Sequence, residues 1–308
     1  MRISPLLSTT KTGNASWEWV PSDFPSFLQE LKHISSHCKE MDHLALYRGH
    51  RERDWILDST FVRYVKEHIL GIEPTSIVRR DYRHSISYQR LMGELFLFKF
   101  GTSTGPYKDL IDLAKIENLD PWFEYMKRIQ QYPKEDLGTL QGSFLIDWSQ
   151  RAEVAVFFAN YKRVNGSEGA VWVSDISASG AALHQDTQVS EILKLLEDAI
   201  LIDKPIGIPL VFCPRRQIAC ERARNQDAIY IAQMDLRFDL AEIWKSLESK
   251  NEGSEDVVLK LILPKGTERE TADWLESKGV NEAFIFPDLD DKCPNKANAA
   301  DAKKRAAD

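Results

Sequence analysis

Leu44-Ala45-Leu46-Tyr47-Arg48-Gly49-His50 is the stretch around which the rest of the chain is organised. Three apolar residues lead into an aromatic ring, an arginine and a glycine. That pattern predicts a short buried strand ending at Arg48 and delivering one permanent cation to its mouth. Arginine keeps its charge at any physiological pH, and its planar fork of donors suits phosphate or carboxylate. Gly49 permits a sharp turn or a close approach of the backbone to a ligand. Taken alone, the string also fits a strand end with a solvated arginine, so the neighbouring segments have to decide.

The chain has 308 residues, and 43% of them are hydrophobic, enough for a real core. With 40 basic and 47 acidic residues its formal charge is −7, which excludes a general polyanion binder. Any nucleic acid or dinucleotide must be met through a local basic site, because the field of the whole molecule opposes it. Met1 to Thr12 holds no long apolar run, so no signal peptide is expected. Nothing approaches the roughly 20 apolar residues that cross a bilayer, so no membrane partner is expected either. Cys38, Cys213, Cys220 and Cys293 form no CxxC pair and no zinc spacing. Reduced cysteines in a cytoplasmic protein are the expectation, with no metal.

Apolar positions at helical spacing predict a helix over 24–41, with Ser22 or Asp23 as its cap and Pro25 in its first turn. Further helices are expected over 57–70, 81–100, 121–131, 151–160, 189–202 and 268–278, the last closed by Gly279. Gly101 to Gly105 breaks the third of these, and Lys134 to Thr139 reads as a polar loop. Strands are expected over 170–173, 209–212, 228–231, 257–263 and 283–286. Helices come first and strands interleaved with helices follow. The fold class is therefore α+β, a mixed sheet with N-terminal helices and a helical insertion, rather than a doubly wound sheet. Residues 1–40 read as an N-terminal helical segment, 41–290 as the α+β domain and 291–308 as a mobile tail.

Several chemistries fail at once. There is no GxSxG elbow, Walker loop, GxGxxG or HExxH. His33 and His37 sit four apart on a helix but lack an acidic or cysteine companion. Four segments remain. Beside Tyr47-Arg48-Gly49-His50 stands Gln141-Gly142-Ser143-Phe144-Leu145-Ile146-Asp147-Trp148-Ser149, where an aspartate lies among apolar residues although a buried carboxylate is costly unpaired. It pairs with an arginine such as Arg48 or Arg151, or accepts backbone or hydroxyl hydrogen bonds. In the third segment, Arg222 to Tyr230, polar groups run straight into a β-type stretch. The fourth, Gly279 to Asp290, reads as a helix stop, a strand and an acidic turn at Asp288-Leu289-Asp290.

Together these segments resemble the FRG domain family over about Leu44 to Asp290. The resemblance rests on the Tyr-Arg-Gly strand, Trp55 to Arg63 after it, Glu94 in the following helix, Leu145-Ile146-Asp147-Trp148-Ser149 ahead of the apolar Ala155 to Ala159 helix, and the Gly279 to Asp290 close. Two departures stand out. Leu137 to Leu140 occupies the place of the family's usual Gln-His-aromatic-Gly stretch, and Phe144 stands where a basic residue is common.

The family is similar in layout to toxin-type ADP-ribosyltransferases, and the resemblance implies NAD as substrate. By that implication Arg48 holds the diphosphate, Ser143 bonds the ribose or carboxamide, and Gln226 or Asp227 bonds the ribose; Arg48, Ser143 and Gln226 form the catalytic set. Tyr47, Gly49, Asp147, Trp148 and Phe158 complete the NAD contacts, the aromatic members as stacking faces. The implied function is a toxin or defence effector acting on a nucleic acid or a protein, with an antitoxin or chaperone as a candidate partner. An RNA acceptor requires a basic patch with aromatic stacking, for which Arg79, Arg80, Arg83, Arg215, Arg216, Arg222 and Arg224 are candidates. The alternative is a non-catalytic module that binds a nucleotide or a protein. Each residue also has a structural role open to it: Ser143 as a turn cap, Asp147 as a hydrogen-bond anchor, Trp148 as core and Gln226 as a partner for backbone groups.

Overall fold

Alternating side-chain direction along each strand sorts the apolar residues onto two faces of one sheet. The computed structural model describes residues 18–83, 85–102, 120–131, 133–136, 138–176, 210–212, 221–248 and 258–287. Its strands are β1 (Glu18–Trp19), β2 (Ala45–His50), β3 (Leu145–Ser149), β4 (Gly169–Asp175), β5 (Leu210–Phe212), β6 (Ala228–Ala232) and β7 (Val258–Leu263). They form a 7-stranded sheet in the order β1-β7-β4-β2-β3-β6-β5. The β1–β7 pair is parallel and the other described pairs are antiparallel. The helices are α1 (Phe24–Glu40), α2 (Thr60–His68), α3 (Arg80–Arg83), α4 (Ile86–Thr102), α5 (Asp120–Gln131), α6 (Ala152–Asn160), α7 (Glu221–Asn225), α8 (Leu240–Glu248), α9 (Glu268–Ser277) and α10 (Glu282–Ile285). This is an α+β arrangement around a mixed sheet.

One face of the sheet is continuous. Leu46, Trp172, Val258, Ile146, Trp148, Ile229 and Ile231 lie on it, with Trp244 of α8 packed against them. The other face is divided. Tyr47, Val171, Val173, Leu259 and Leu261 lie under α1, α6 and α9, whereas Leu145, Tyr230 and Ala232 lie under α2, α4 and α5. The division runs between β2 and β3. Those strands are in register only at Tyr47↔Ser149, while β2 pairs with β4 over its whole length, from Ala45↔Asp175 to His50↔Ala170. Beyond Tyr47 the strands β2 and β3 part, and the sheet opens there.

Helix α6 lies against the backbone of β2. A Cβ placed on Gly49 would stand 1.9 Å from the Ala155 carbonyl oxygen, and one on Gly169 would stand 2.7 Å from that of Ala159. Glycine at 49 therefore serves helix–sheet packing. The strand also continues past Arg48, because Gly49 and His50 keep their pairing with Val171 and Ala170.

Local signals set the helix starts. Asp23 caps α1 by accepting from Ser26 N at 2.8 Å, and Ser59 caps α2 by accepting from Val62 N. The expected helix over 81–100 is two helices, α3 and α4. The expected strand over 283–286 is instead the short helix α10, because Asn281 caps it by accepting from Phe284 N at 3.0 Å. The expected helix over 189–202, the 291–308 tail and the acidic turn at 288–290 lie outside the described residues. In the N-terminal segment, β1 pairs with β7 and α1 packs on the same sheet, so both belong to this core. Among the described residues no helix is long and apolar enough to cross a membrane.

Candidate functional site

The parting of β2 and β3 leaves the Asp147 carbonyl without a β2 partner, and the Arg48 side chain takes that place. Its Nη1 donates to Asp147 O at 2.5 Å, and its Nε donates to His50 Nε2 at 3.1 Å. A guanidinium only donates, so Nε2 of His50 carries the lone pair and Nδ1 carries the proton, which faces Trp55 O at 3.3 Å. Trp172 Nε1 lies 3.3 Å from the same Nδ1, and in this tautomer it meets no lone pair there. Burial, then the positive charges of Arg48, Arg63 and Lys260, hold the His50 pKa well below the usual imidazole value. The ring is thus a neutral acceptor that fixes the Arg48 fork. Among the described residues, two of the five N–H groups of Arg48 are engaged, which leaves three for a ligand.

Arg63, on α2, is the second cation. No hydrogen bond or ion pair engages its guanidinium among the described residues. Burial lowers its pKa, and the Asp58 and Asp147 carboxylates oppose that shift. Burial likewise pulls Arg48 down to about 10, with Asp147 opposing and Arg63 reinforcing. Both remain cations at neutral pH. Both feel the Asp147 carboxylate, which forms an ion pair with neither among the described residues. Its Oδ2 accepts from Gln130 Nε2 of α5 at 3.2 Å, and its buried Oδ1 has no partner among the described residues.

The loop before β3 is set from below. Lys99 Nζ, buried, lies 3.0 Å from Asp136 Oδ2 and also donates to Leu140 O. Asp136 in turn accepts from Gly138 N at 3.1 Å and Gly142 N at 2.7 Å. Thr60 at the start of α2 clasps the same loop, accepting from Ser143 N at 2.8 Å.

Of the residues expected at the site, the structure brings Arg48 and Asp147 together. Ser143 lies just before the start of β3, and it is fully buried, its hydroxyl accepting from Leu145 N at 2.9 Å. Gln226 lies at the other end. Its carbonyl accepts from Ser149 Oγ and its amide donates to Ile285 O at 3.0 Å. Six residues of extended chain separate Ser143 from Ser149, about 20 Å, so Ser143 and Gln226 do not share a site. Tyr47 packs beneath α1 and α6 and its hydroxyl lies 2.8 Å from that of Ser35. Trp148 is core, 5.3 Å edge-on to Trp244. Phe158 packs against Phe157 and Phe286.

Three of the arginines expected to form a basic patch are engaged within the chain. Arg79 pairs with Asp81, Arg83 with Glu242, and Arg222 stacks on Phe286. Arg215 and Arg216 lie outside the described residues. Glu94 is exposed. A separate shallow cavity lies between α2 and α8, lined by Asp58, Lys66, Arg83, Tyr88, Asp239 and Glu242 among others, and does not include Arg48 or Asp147. Its charges are internally matched: Lys66 bonds Asp58, Arg83 bonds Glu242, and Asp239 caps α8 through Ala241 N. The unmatched charge lies at the β2–β3 opening.

Comparison of the chain with family models, with curated proteins and with solved structures returned no match. The site therefore stands on its geometry. Sequence reasoning missed two of its members. Arg63 entered only as the end of a family stretch, and its position in the first turns of α2, behind the Ser59 cap, was the available signal. Gln130 left no signal in the sequence, because α5 reaches β3 only through tertiary packing.

Proposed function

We propose that the chain binds the diphosphate of NAD between Arg48 and Arg63 and transfers ADP-ribose to a macromolecular acceptor, as a toxin or defence effector in the cytoplasm. One observation carries the reading. Two half-buried guanidiniums act on one carboxylate that forms an ion pair with neither among the described residues, so the opening holds more positive charge than those residues neutralise. A diphosphate supplies the missing charge and accepts the three free Arg48 donors through charge-assisted bonds. The likeness to the FRG family supports NAD over other diphosphates.

In the transfer, the bond between nicotinamide nitrogen and ribose C1′ breaks and its electron pair leaves with nicotinamide. The acceptor's lone pair forms the new bond to C1′, and its proton passes to solvent. Positive charge grows on the sugar, as in glycoside hydrolysis, and a carboxylate beside it lowers the barrier. The acceptor is an RNA such as mRNA or a protein, and an antitoxin or chaperone is the partner that such a toxin calls for.

A second reading, a non-catalytic nucleotide-binding module, draws on the separation of Gln226 from Ser143 along β3 and on the engagement of their side chains by Ile285 O and Leu145 N. Incubating the purified chain with labelled NAD and whole-cell lysate separates the two. Release of nicotinamide with a labelled macromolecule, both lost in Arg48→Ala, supports the transferase. NAD binding without release leaves the module, and absence of binding rejects both. Slow growth on expression, relieved by Arg48→Ala, is expected of a toxin.

A further inference from the structure

We infer that Asp147 Oδ1 is the acceptor for a sugar hydroxyl of the ligand, positioned by a hydrogen-bond relay through Thr60 and Gln130, so that the site takes a ribosyl diphosphate in preference to a bare polyphosphate. The inference rests on the diphosphate reading of the Arg48–Arg63 opening. The relay has a defined direction. The Asp147 carboxylate only accepts, so Gln130 must face it with Nε2 and face Thr60 with Oε1. The Thr60 hydroxyl, which accepts from Ser143 N–H at 2.8 Å, then donates to Oε1 at 2.9 Å, with Ser143 O at 3.2 Å as its other acceptor. With its oxygen turned to Thr60, the Gln130 amide presents Nε2 to Asp147 Oδ2 at 3.2 Å.

Gln130 thus holds the carboxylate by one oxygen and keeps it off both arginines. Were Asp147 free to swing onto Arg63, the two charges would cancel and the anion site would close. The cost of this arrangement is the buried Oδ1 without a donor. A hydroxyl satisfies that atom without adding charge and without competing for the guanidiniums. Oδ1 is buried, and Arg48 Nη1 rests on the carbonyl of the same residue. On this reading, a diphosphate that draws Arg48 off that carbonyl brings its sugar to Oδ1. Thr60 and Gln130 act as positioning residues, and Asp147 is the residue that touches ligand.

Calorimetric titration of the full chain with pyrophosphate, ADP and ADP-ribose tests this, with thermal unfolding recorded for every variant. The wild-type chain is expected to prefer ADP-ribose over pyrophosphate. Asp147→Asn and Gln130→Met should weaken ADP-ribose about ten- to a hundredfold, the size of one hydrogen bond to a charged group, while pyrophosphate binding holds or tightens. Thr60→Val should behave like Gln130→Met, and Thr60→Ser should retain the preference. Should Asp147→Asn fail to fold, the two Thr60 variants decide the matter. A loss shared by ADP and ADP-ribose assigns the adenosine sugar, and a loss with ADP-ribose alone assigns the distal one. Wild-type binding of pyrophosphate with no preference for ADP-ribose overturns the inference, as does an equal fall for both ligands in the variants. No pyrophosphate binding at all overturns the Arg48–Arg63 reading together with it.

Discussion

Gly49→Ala should cost about 3 kcal/mol of stability or more, at the upper end of what overpacking costs. The added methyl carbon would stand 1.9 Å from the Ala155 oxygen, 2.6 Å from the Ala159 nitrogen and 2.9 Å from the Ala155 carbonyl carbon. All three are backbone atoms of α6, so no side-chain rotamer relieves the clash. Regaining the 3.4 Å of ordinary contact lifts the helix by about 1.5 Å. That movement loosens Val154, Ala155, Val156, Phe157 and Ala159, which are buried along the helix. Urea unfolding followed by tryptophan fluorescence reads the loss, since Trp148, Trp172 and Trp244 are all buried. In thermal unfolding the same loss is about 6 to 12 °C. The control is Gly71→Ala, where φ is +64° and nothing stands within 4 Å, so only the left-handed backbone is strained, at about 1 to 2 kcal/mol. Equal stabilities for the two variants would refute the packing argument. Weaker ligand binding by Gly49→Ala at unchanged stability would return Gly49 to a ligand-contact role.

Arg48→Ala and Arg63→Ala should each weaken pyrophosphate binding about tenfold or more, with the effect shrinking as salt rises, and calorimetry at two ionic strengths checks this. Gln226→Ala should leave that affinity unchanged and cost about 1 kcal/mol in urea unfolding through its bond to Ile285 O. Lys99→Met strips the buried Asp136 of its cation and should cost about 3 kcal/mol, because Gly138 N and Gly142 N still serve the carboxylate. Two buried groups predict opposite pH trends. His50 stays neutral when folded, so stability is full above its unfolded pKa near 6.5 and falls as pH drops below that value, a loss that His50→Gln should flatten. Burial and the neighbouring Glu242 and Asp58 charges push Asp239 up to about 8 from 3.8, so the folded state keeps a proton that the unfolded state releases. Stability should therefore fall as pH rises between those values, and Asp239→Asn should remove the slope.

What the sequence made legible was what neighbours in the chain decide. Helix α1 followed from its apolar spacing with Asp23 and Pro25 at the start, and α9 from its spacing with Gly279 after it. Strands β4, β6 and β7 followed from short apolar runs between breakers. The stretch 283–286 misled because an apolar run of four carries no period of its own, and the Asn281 cap turned it into a helix. Arg48 and Asp147 stood out for one reason, a charge set among apolar residues, and the fold does bring them together.

Which other groups join them was decided in three dimensions. The opening exists because β2 keeps its register with β4 and loses it with β3, a matter of strand pairing between segments about a hundred residues apart. Arg63 and Gln130 arrive on helices packed over that gap, while Ser143 and Gln226 are carried to opposite ends of β3. Periodicity and caps act over a few residues, so they are written locally in the sequence. Ladder register, helix docking and the Coulomb terms between buried charges depend on distances through space, and only the folded chain sets those.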